Sequence, residues 1–194
     1  KIPVLHVVAE HDHIVPYEAS KPLIQNVGSK DKEEVILKGG HVSIAAGGQW
    51  LIDGDSFSGE GNSRVTISGT LANAGGLTIG VPTGGAPGPT YVSAAALVNT
   101  GAIALTGNFN AASTASATLA IAAAAGFGAA GVASGTIRLN GQAHLEFGSG
   151  QIGTVAPGAE LRLWRLARLA DASDPTRNSA LDGVGKQARN VALP

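Results

Sequence analysis

The hydrophobic and polar positions between Leu71 and Leu105 repeat one short pattern twice. Leucine, asparagine, glycine and two alternating aliphatic residues recur in register, 26 residues apart. A recurrence of this length is typical of a coil that repeats along the chain. Because the aliphatic residues alternate, each copy predicts a strand with one apolar face. The sequence therefore predicts a mainly β fold, a parallel β-solenoid.

The residues between the strands predict how the coils turn. Gly75 and Gly101 are expected to take the positive φ of a sharp corner. Asn73 and Asn99 tolerate the same backbone region and are expected to hydrogen-bond to each other along the stack.

The alternation extends over residues 64–160 and predicts roughly four coils. The alanine-rich stretch 111–133 leaves a helix open by propensity, although its glycines and Ser/Thr residues favour coils. The expected strands are Arg64–Ser68, Gly76–Gly80, Ala94–Val98, Ala102–Thr106, Thr118–Ala122, Gly135–Asn140, His144–Phe147 and Gln151–Val155. The side chains expected to point inward are Leu77, Ile79, Ile103, Leu105, Ile137, Leu139 and Leu145.

Composition narrows the classes of function. The 194 residues are 44% hydrophobic but only 4% aromatic, with 28 glycines and a net charge of -1. This balance gives no electrostatic case for nucleic acid, and no apolar stretch is long enough to span a bilayer. The absence of cysteine excludes disulfides, thiolate metal sites and a cysteine nucleophile within the chain. No cofactor is predicted.

Composition also predicts four segments. Residues 1–49 differ from the rest, residues 50–63 form a polar joint, 64–160 are the solenoid and 161–194 are a tail. The chain opens on Lys1, so we expect a fragment. In the joint, the carboxylates of Asp53, Asp55 and Glu60 leave a calcium site open, and a solvated turn is preferred because the complete loop pattern is absent.

The tail begins with arginines and leucines spaced three apart between Leu161 and Leu169. This spacing predicts a short basic amphipathic helix followed by a disordered end. The preferred role of its apolar stripe is to cover the last coil, and the alternative is to lie on an anionic membrane surface.

Residues 1–49 read as strand, acidic loop, helix, strand and histidine loop. The strands are expected at Pro3–Glu10 and Glu34–Lys38, with the helix from Ser20 to about Val27. This order is that of the closing unit of an α/β-hydrolase, in which the acid and then the histidine of the triad follow the nucleophile. The segment resembles the C-terminal end of polyhydroxyalkanoate synthases in the motifs Pro3-Val-Leu, Ala9-Glu10-x-Asp12-His13-Ile-Val-Pro16, Ala19-Ser20-Lys21 and Gly39-Gly40-His41-Val42.

The resemblance assigns catalytic roles to two residues. Asp12 matches the triad aspartate and His41 the general-base histidine of a Cys-His-Asp triad that polymerises hydroxyacyl-coenzyme A thioesters. The nucleophile is missing, so both residues are expected to be vestigial. His6, His11 and His13 beside Asp12 leave a zinc site open, but solvated loop histidines are preferred, and no metal site is predicted.

Residues 64–160 resemble the passenger regions of bacterial autotransporters and filamentous haemagglutinin-type adhesins. Neither paired carboxylates nor a row of aromatics occurs there, so the sequence does not predict a groove that cleaves or stacks on glycans. The resemblance implies a secreted or cell-surface protein whose solenoid edges contact a surface partner or a second copy.

The leading functional hypothesis is a non-catalytic structural or adhesive β-solenoid preceded by a truncated α/β-hydrolase segment. The alternative is a fragment of an acyl-transfer enzyme, cytoplasmic and associated with polymer granules, whose nucleophile comes from a partner. The join of two unrelated families leaves a gene fusion, a misread frame and an artificial chimera open.

Overall fold

The chain divides into two compact units, Lys1–Val42 and Ser43–Pro194. The computed structural model describes residues 4–9, 22, 25–26, 32–37, 41–54, 61–83, 86–124, 127, 131–184 and 191–192.

Unit 1 contains one pair of strands. Strand β1 (Val4–Ala9) lies parallel to β2 (Lys32–Leu37), in continuous register over six residues. The backbone is helical at the three described residues between them, Pro22, Gln25 and Asn26. Parallel strands need a crossover connection, and the chain between β1 and β2 supplies it. The two predicted strands are confirmed, whereas a hydrolase fold is not shown.

Unit 2 is built from short strands, and every pairing described among them is parallel. These strands are β3 (Val42–Ile44), β4 (Gln49–Ile52), β5 (Arg64–Asn73), β6 (Gly76–Ile79), β7 (Thr90–Asn99), β8 (Ala102–Thr106), β9 (Ala117–Ile121), β10 (Val132–Ala133), β11 (Thr136–Asn140), β12 (Ala143–Phe147), β13 (Thr154–Val155), β14 (Glu160–Trp164), β15 (Arg168–Asp171) and β16 (Val191–Ala192).

Two six-stranded sheets hold most of these strands. Sheet I has the order β15-β12-β9-β7-β5-β3, and sheet II has the order β16-β14-β11-β8-β6-β4. The chain passes from one sheet to the other and back in each coil, so strands adjacent in a sheet come from successive coils. This is the predicted parallel β-solenoid. Strands β3 and β4 precede residue 64 and β15 and β16 follow residue 160, so the stack is longer than predicted.

The 26-residue recurrence sets the register of neighbouring coils. Leu77 lies opposite Ile103, and Ile79 lies opposite Leu105. Inward side chains in such columns bury the apolar face of every strand. All seven predicted inward residues are buried, with at most 1% of each exposed.

The two repeated asparagines contact each other as predicted. Asn73 Nδ2 donates a hydrogen bond of 2.8 Å to Asn99 Oδ1, and both residues are buried. In the next coil Ser134 hydrogen-bonds to Asn99. Its carbonyl oxygen accepts from Asn99 Nδ2 at 2.9 Å, and its hydroxyl donates to the Asn99 carbonyl oxygen at 2.6 Å.

The expected positive φ at Gly75 and Gly101 is wrong, because neither residue lies in the left-handed region. Glycine is required there for a different reason, the close approach of successive coils. A Cβ atom on Gly101 would lie 2.1 Å from the carbonyl oxygen of Gly75, and one on Gly75 would lie 2.3 Å from that of Gly48. These two coils therefore need glycine where the backbone of the preceding coil passes.

The alanine-rich stretch forms strands in its described part. Strand β9 places Ala117, Leu119 and Ile121 in the interior, and β10 follows at Val132. Phe127 packs edge-on against Phe147, with 5.5 Å between the ring centroids. These buried contacts outweigh the helix propensity of alanine.

The helix predicted from Leu161 to Leu169 is wrong. Residues 160–164 and 168–171 are strands, separated by a turn in which Arg165 has a φ of 60°. Leu161 and Leu163 are buried while Arg162 and Trp164 face outward, so the residues alternate with the period of a strand. Within the part of the chain that the structure describes, no helix is long and apolar enough to cross a membrane.

Residues 172–184 cover the edge of sheet I that β15 forms. The side-chain oxygen of Asn178 accepts a hydrogen bond of 2.9 Å from the Leu169 amide, and Ser179 Oγ accepts one of 2.8 Å from the Asp171 amide. Arg177 holds this segment through bonds of 2.7 and 2.6 Å to both carboxylate oxygens of Asp182. The edge amides of β15 are therefore paired by side chains.

Candidate functional site

The two residues assigned by resemblance to the hydrolase triad belong to unit 1. His41 is exposed and directly precedes β3. Asp12 lies outside the described residues, and so do His11 and His13. The predicted pairing of Asp12 with His41 therefore stays a prediction.

The candidate calcium ligand Asp53 has a structural role. Its carboxylate accepts hydrogen bonds from Ser63 Oγ at 2.8 Å and from Thr90 Oγ1 at 2.6 Å. Asp53, which follows β4, is thereby joined to the residue before β5 and to the first residue of β7. The other two candidate ligands, Asp55 and Glu60, lie outside the described residues.

The outer face of sheet I carries a trough that the sequence analysis did not predict. Register places outward residues of five successive coils in columns that cross the sheet. The first column is Arg64, Tyr91, Thr118, His144 and Arg168, and the second is Thr66, Ser93, Ala120, Glu146 and Ala170.

Small side chains make the floor of this trough. Alanine, serine and glycine occupy most positions in the second column and in the residues that follow it, including Ala95, Ala122 and Gly148. The larger lining residues include Ile67, Tyr91, Ile121, Glu146, Phe147 and Pro175. The space enclosed is about 550 Å³, which lies in the range of small-molecule sites.

Arg64 and Tyr91 contact each other at one end of the first column. The Arg64 guanidinium lies over the Tyr91 ring, 4.5 Å from its centroid. A cation at this distance is attracted by the face of the ring. One face of the Tyr91 ring is therefore covered by this guanidinium.

Apart from Arg64, the charged residues of the two columns lie in their fourth and fifth coils. His144 Nδ1 lies 3.6 Å from Glu146 Oε1, and Arg168 follows His144 in the same column. Burial, helped by the charge of Arg168, lowers the pKa of His144. Burial raises the pKa of Glu146, and Arg168 opposes that rise. At neutral pH this arrangement presents a half-buried carboxylate beside a neutral imidazole and one guanidinium.

The second carboxylate that lines the trough, that of Asp171, forms hydrogen bonds within the protein. Asp171 accepts hydrogen bonds from the amide and the hydroxyl of Ser173. These bonds, with others from Gln151 and Ser179, lower the pKa of Asp171 to about 2. Asp171 therefore stays ionised, and its oxygens are occupied by hydrogen bonds within the protein. Glu146 is the carboxylate that a ligand in the trough would meet.

The signal for this site was present in the sequence but hidden by uneven spacing. Neighbours in the second column are 27 residues apart from Thr66 to Ser93 and from Ser93 to Ala120, 26 apart from Ala120 to Glu146 and 24 apart from Glu146 to Ala170. A fixed 26-residue period therefore does not align Ser93 with Glu146. Their column appears only once the register of each coil is known.

Comparison with known proteins gives one partial likeness. The chain is 40% identical over 45 residues to the poly(3-hydroxyalkanoate) polymerase subunit PhaC of Haloferax mediterranei. The match covers 23% of this chain and 9% of that protein, so the chain spans about a tenth of the length of the curated relative it matches. It supports the polyhydroxyalkanoate-synthase-like segment. No family model and no solved structure matches the chain.

Proposed function

We propose that this chain is a non-catalytic structural or adhesive β-solenoid that carries a truncated polyhydroxyalkanoate-synthase-like segment at its N-terminus. The observation that supports the proposal is the outer face of sheet I, where small residues from five coils form a continuous trough above a fully packed interior.

A rigid surface is what an adhesive solenoid requires. Columns of buried aliphatic residues hold each coil against the next, and the parallel ladder pairs the backbone of both sheets. Side chains facing outward are therefore fixed at the spacing of strands, about 4.8 Å between coils. A surface of this kind binds a long ligand at several points without first having to order itself.

The proposal includes a location and a manner of association. The chain acts at the cell surface or after secretion, and its partners meet the solenoid at its outer faces or its edges. The side chains of residues 172–184 pair the free edge of sheet I, which directs partners to the face in preference to that edge.

The second candidate is an acyl-transfer fragment that works with a partner, and the identity to PhaC is the observation that favours it. In this reading Asp12 orients His41, and His41 takes a proton from a nucleophile on another chain. Such a fragment acts in the cytoplasm, next to polymer granules.

Hydrolysis of 3-hydroxybutyryl-coenzyme A separates the two candidates. We expect no turnover above the buffer rate from the full chain, alone or after Asp12→Ala or His41→Ala. His144→Ala, which alters a histidine of unit 2, is the matched control. Turnover that Asp12→Ala and His41→Ala each abolish, and that His144→Ala leaves intact, would overturn the first proposal.

Retention on surfaces tests the adhesive role directly. The labelled full chain should co-sediment with cell-envelope preparations, and urea-unfolded chain should not. Equal retention of both forms would show that the folded solenoid is not the adhesive element.

A further inference from the structure

We propose that the trough on sheet I binds a neutral, hydroxyl-rich chain, an uncharged oligosaccharide, with Glu146 as its principal hydrogen-bond acceptor. This inference rests on the adhesive function proposed above and names the class of ligand for it.

The position of the trough argues against an extended peptide. A peptide that joins a β-sheet does so at an edge, where backbone N–H and C=O groups are unpaired. The trough lies on the face of sheet I, across strands β5, β7, β9, β12 and β15, whose backbones are paired with each other. A ligand on this face meets side chains only, so it must bring its own hydrogen-bonding groups.

The charge of the trough argues against a strongly charged ligand. Glu146 and Arg168 lie in adjacent coils and carry opposite charges. The charge of Arg168 lowers the pKa of Glu146, against the effect of burial. Asp171 is ionised as well, and the guanidinium of Arg64 in the first column offsets its charge. The remaining lining residues of the trough are uncharged. A polyanion or a polycation would therefore find no net complementary field here.

The chemistry of the lining fits a sugar chain. Sugar rings carry hydroxyl groups around their rim and C–H groups on their faces. Glu146 and the hydroxyl groups of Ser93 and Tyr91 can exchange hydrogen bonds with the rim. The alanine floor and Pro175 can contact the faces. Hydroxyl donors would also satisfy the half-buried carboxylate of Glu146.

Titration calorimetry of the full chain with cellohexaose, maltohexaose and chitohexaose tests the inference. Polygalacturonate and hexalysine are the charged comparators. We expect at least one neutral oligosaccharide to bind more tightly than either comparator. Glu146→Ala should weaken that binding about tenfold, as for the loss of a hydrogen bond to a charged group, and Glu146→Gln should restore part of it.

A steric variant locates the site. Ala120→Phe fills the second column between Ser93 and Glu146, and Ala104→Phe adds the same ring to the outer face of sheet II. Ala120→Phe should abolish binding, while Ala104→Phe should leave it unchanged. Equal effects of the two variants, tighter binding of a charged comparator, or no binding of any neutral oligosaccharide would overturn the inference. A chain that binds none of the sugars and is still retained on envelopes keeps the adhesive proposal, and failure of both assays removes it as well.

Discussion

The glycines of unit 2 test how closely successive coils pack. Some are needed because another backbone passes close by, and others because their φ is positive. Gly101 has no positive φ, but a Cβ atom there would meet Gly75 O at 2.1 Å. Gly158 has a φ of 77°, and a Cβ atom added to it would have no other atom within 4 Å. Gly153 has neither constraint. Replacing each with alanine therefore tests one cause at a time.

The expected costs differ in size and in origin. Gly101→Ala forces two coils apart and should destabilise unit 2 by about 1–3 kcal/mol, as for an overpacked interior. Gly158→Ala should cost about 1–2 kcal/mol because an L-residue is strained in the left-handed region. Gly153→Ala should stabilise by about 0.4–1 kcal/mol, since alanine narrows the unfolded ensemble.

Urea unfolding followed by tryptophan fluorescence measures these differences in unit 2 alone, because both tryptophans, Trp50 and Trp164, belong to it. If Gly101→Ala proves no less stable than Gly153→Ala, the backbones of successive coils do not approach as closely as the structure has them, and the reasoning fails.

Three further predictions follow from the interior, the edge and the titration of unit 2. Leu139→Ala should cost about 2–5 kcal/mol, while Leu51→Ala, at a side chain that is 62% exposed, should cost under about 0.5 kcal/mol in the same urea experiment; similar losses would contradict the inward column. Asn178→Ala leaves the Leu169 amide unpaired and should speed its hydrogen exchange, with unchanged exchange counting against an edge cap. Because the pKa of Asp171 falls from 3.8 to about 2 on folding, its stabilising contribution is complete above pH 4 and disappears as the pH falls towards 2. The melting temperature of Asp171→Asn should therefore change less between pH 4 and pH 2 than that of the unmodified chain. An equal change in both proteins would contradict this prediction.

Local alternation was enough to predict the central strands and their buried faces, whereas the strand expected at Gln151–Val155 is confined to Thr154–Val155. Ile103 and Leu105 alternate with alanines, and no other period fits them. The asparagine contact followed from the recurrence itself, because identical residues at identical places in two coils must lie next to each other.

The tail shows where the same reasoning failed. Leu163, Leu166 and Leu169 are three apart, which fits a helix, but Leu161 and Leu163 are two apart, which fits a strand. The choice depends on a preceding coil that offers Ile137 and Leu139 as parallel partners. Sequence spacing cannot show that partner strand, so the tertiary contact decided the outcome.

The trough was out of reach for a related reason. Its residues are ordinary in sequence, and Ala120 or Ser93 alone predicts nothing. Their meaning comes from register across coils of unequal length, 27 residues between Ser93 and Ala120 but 26 between Ala120 and Glu146.

Cysteine pairing across adjacent coils tests the parallel register most directly, because the chain has no cysteine of its own. Thr78 lies opposite Ala104 on the outer face of sheet II, and Ala102 lies opposite Gly76, two residues away. Parallel neighbours about 4.8 Å apart fall within reach of a disulfide, whereas a diagonal pair at about 7–8 Å does not. Mild oxidation should therefore join Thr78→Cys with Ala104→Cys within one chain and leave Thr78→Cys with Ala102→Cys reduced. Efficient joining of the second pair, or failure of the first, would contradict the register on which the solenoid and its trough depend.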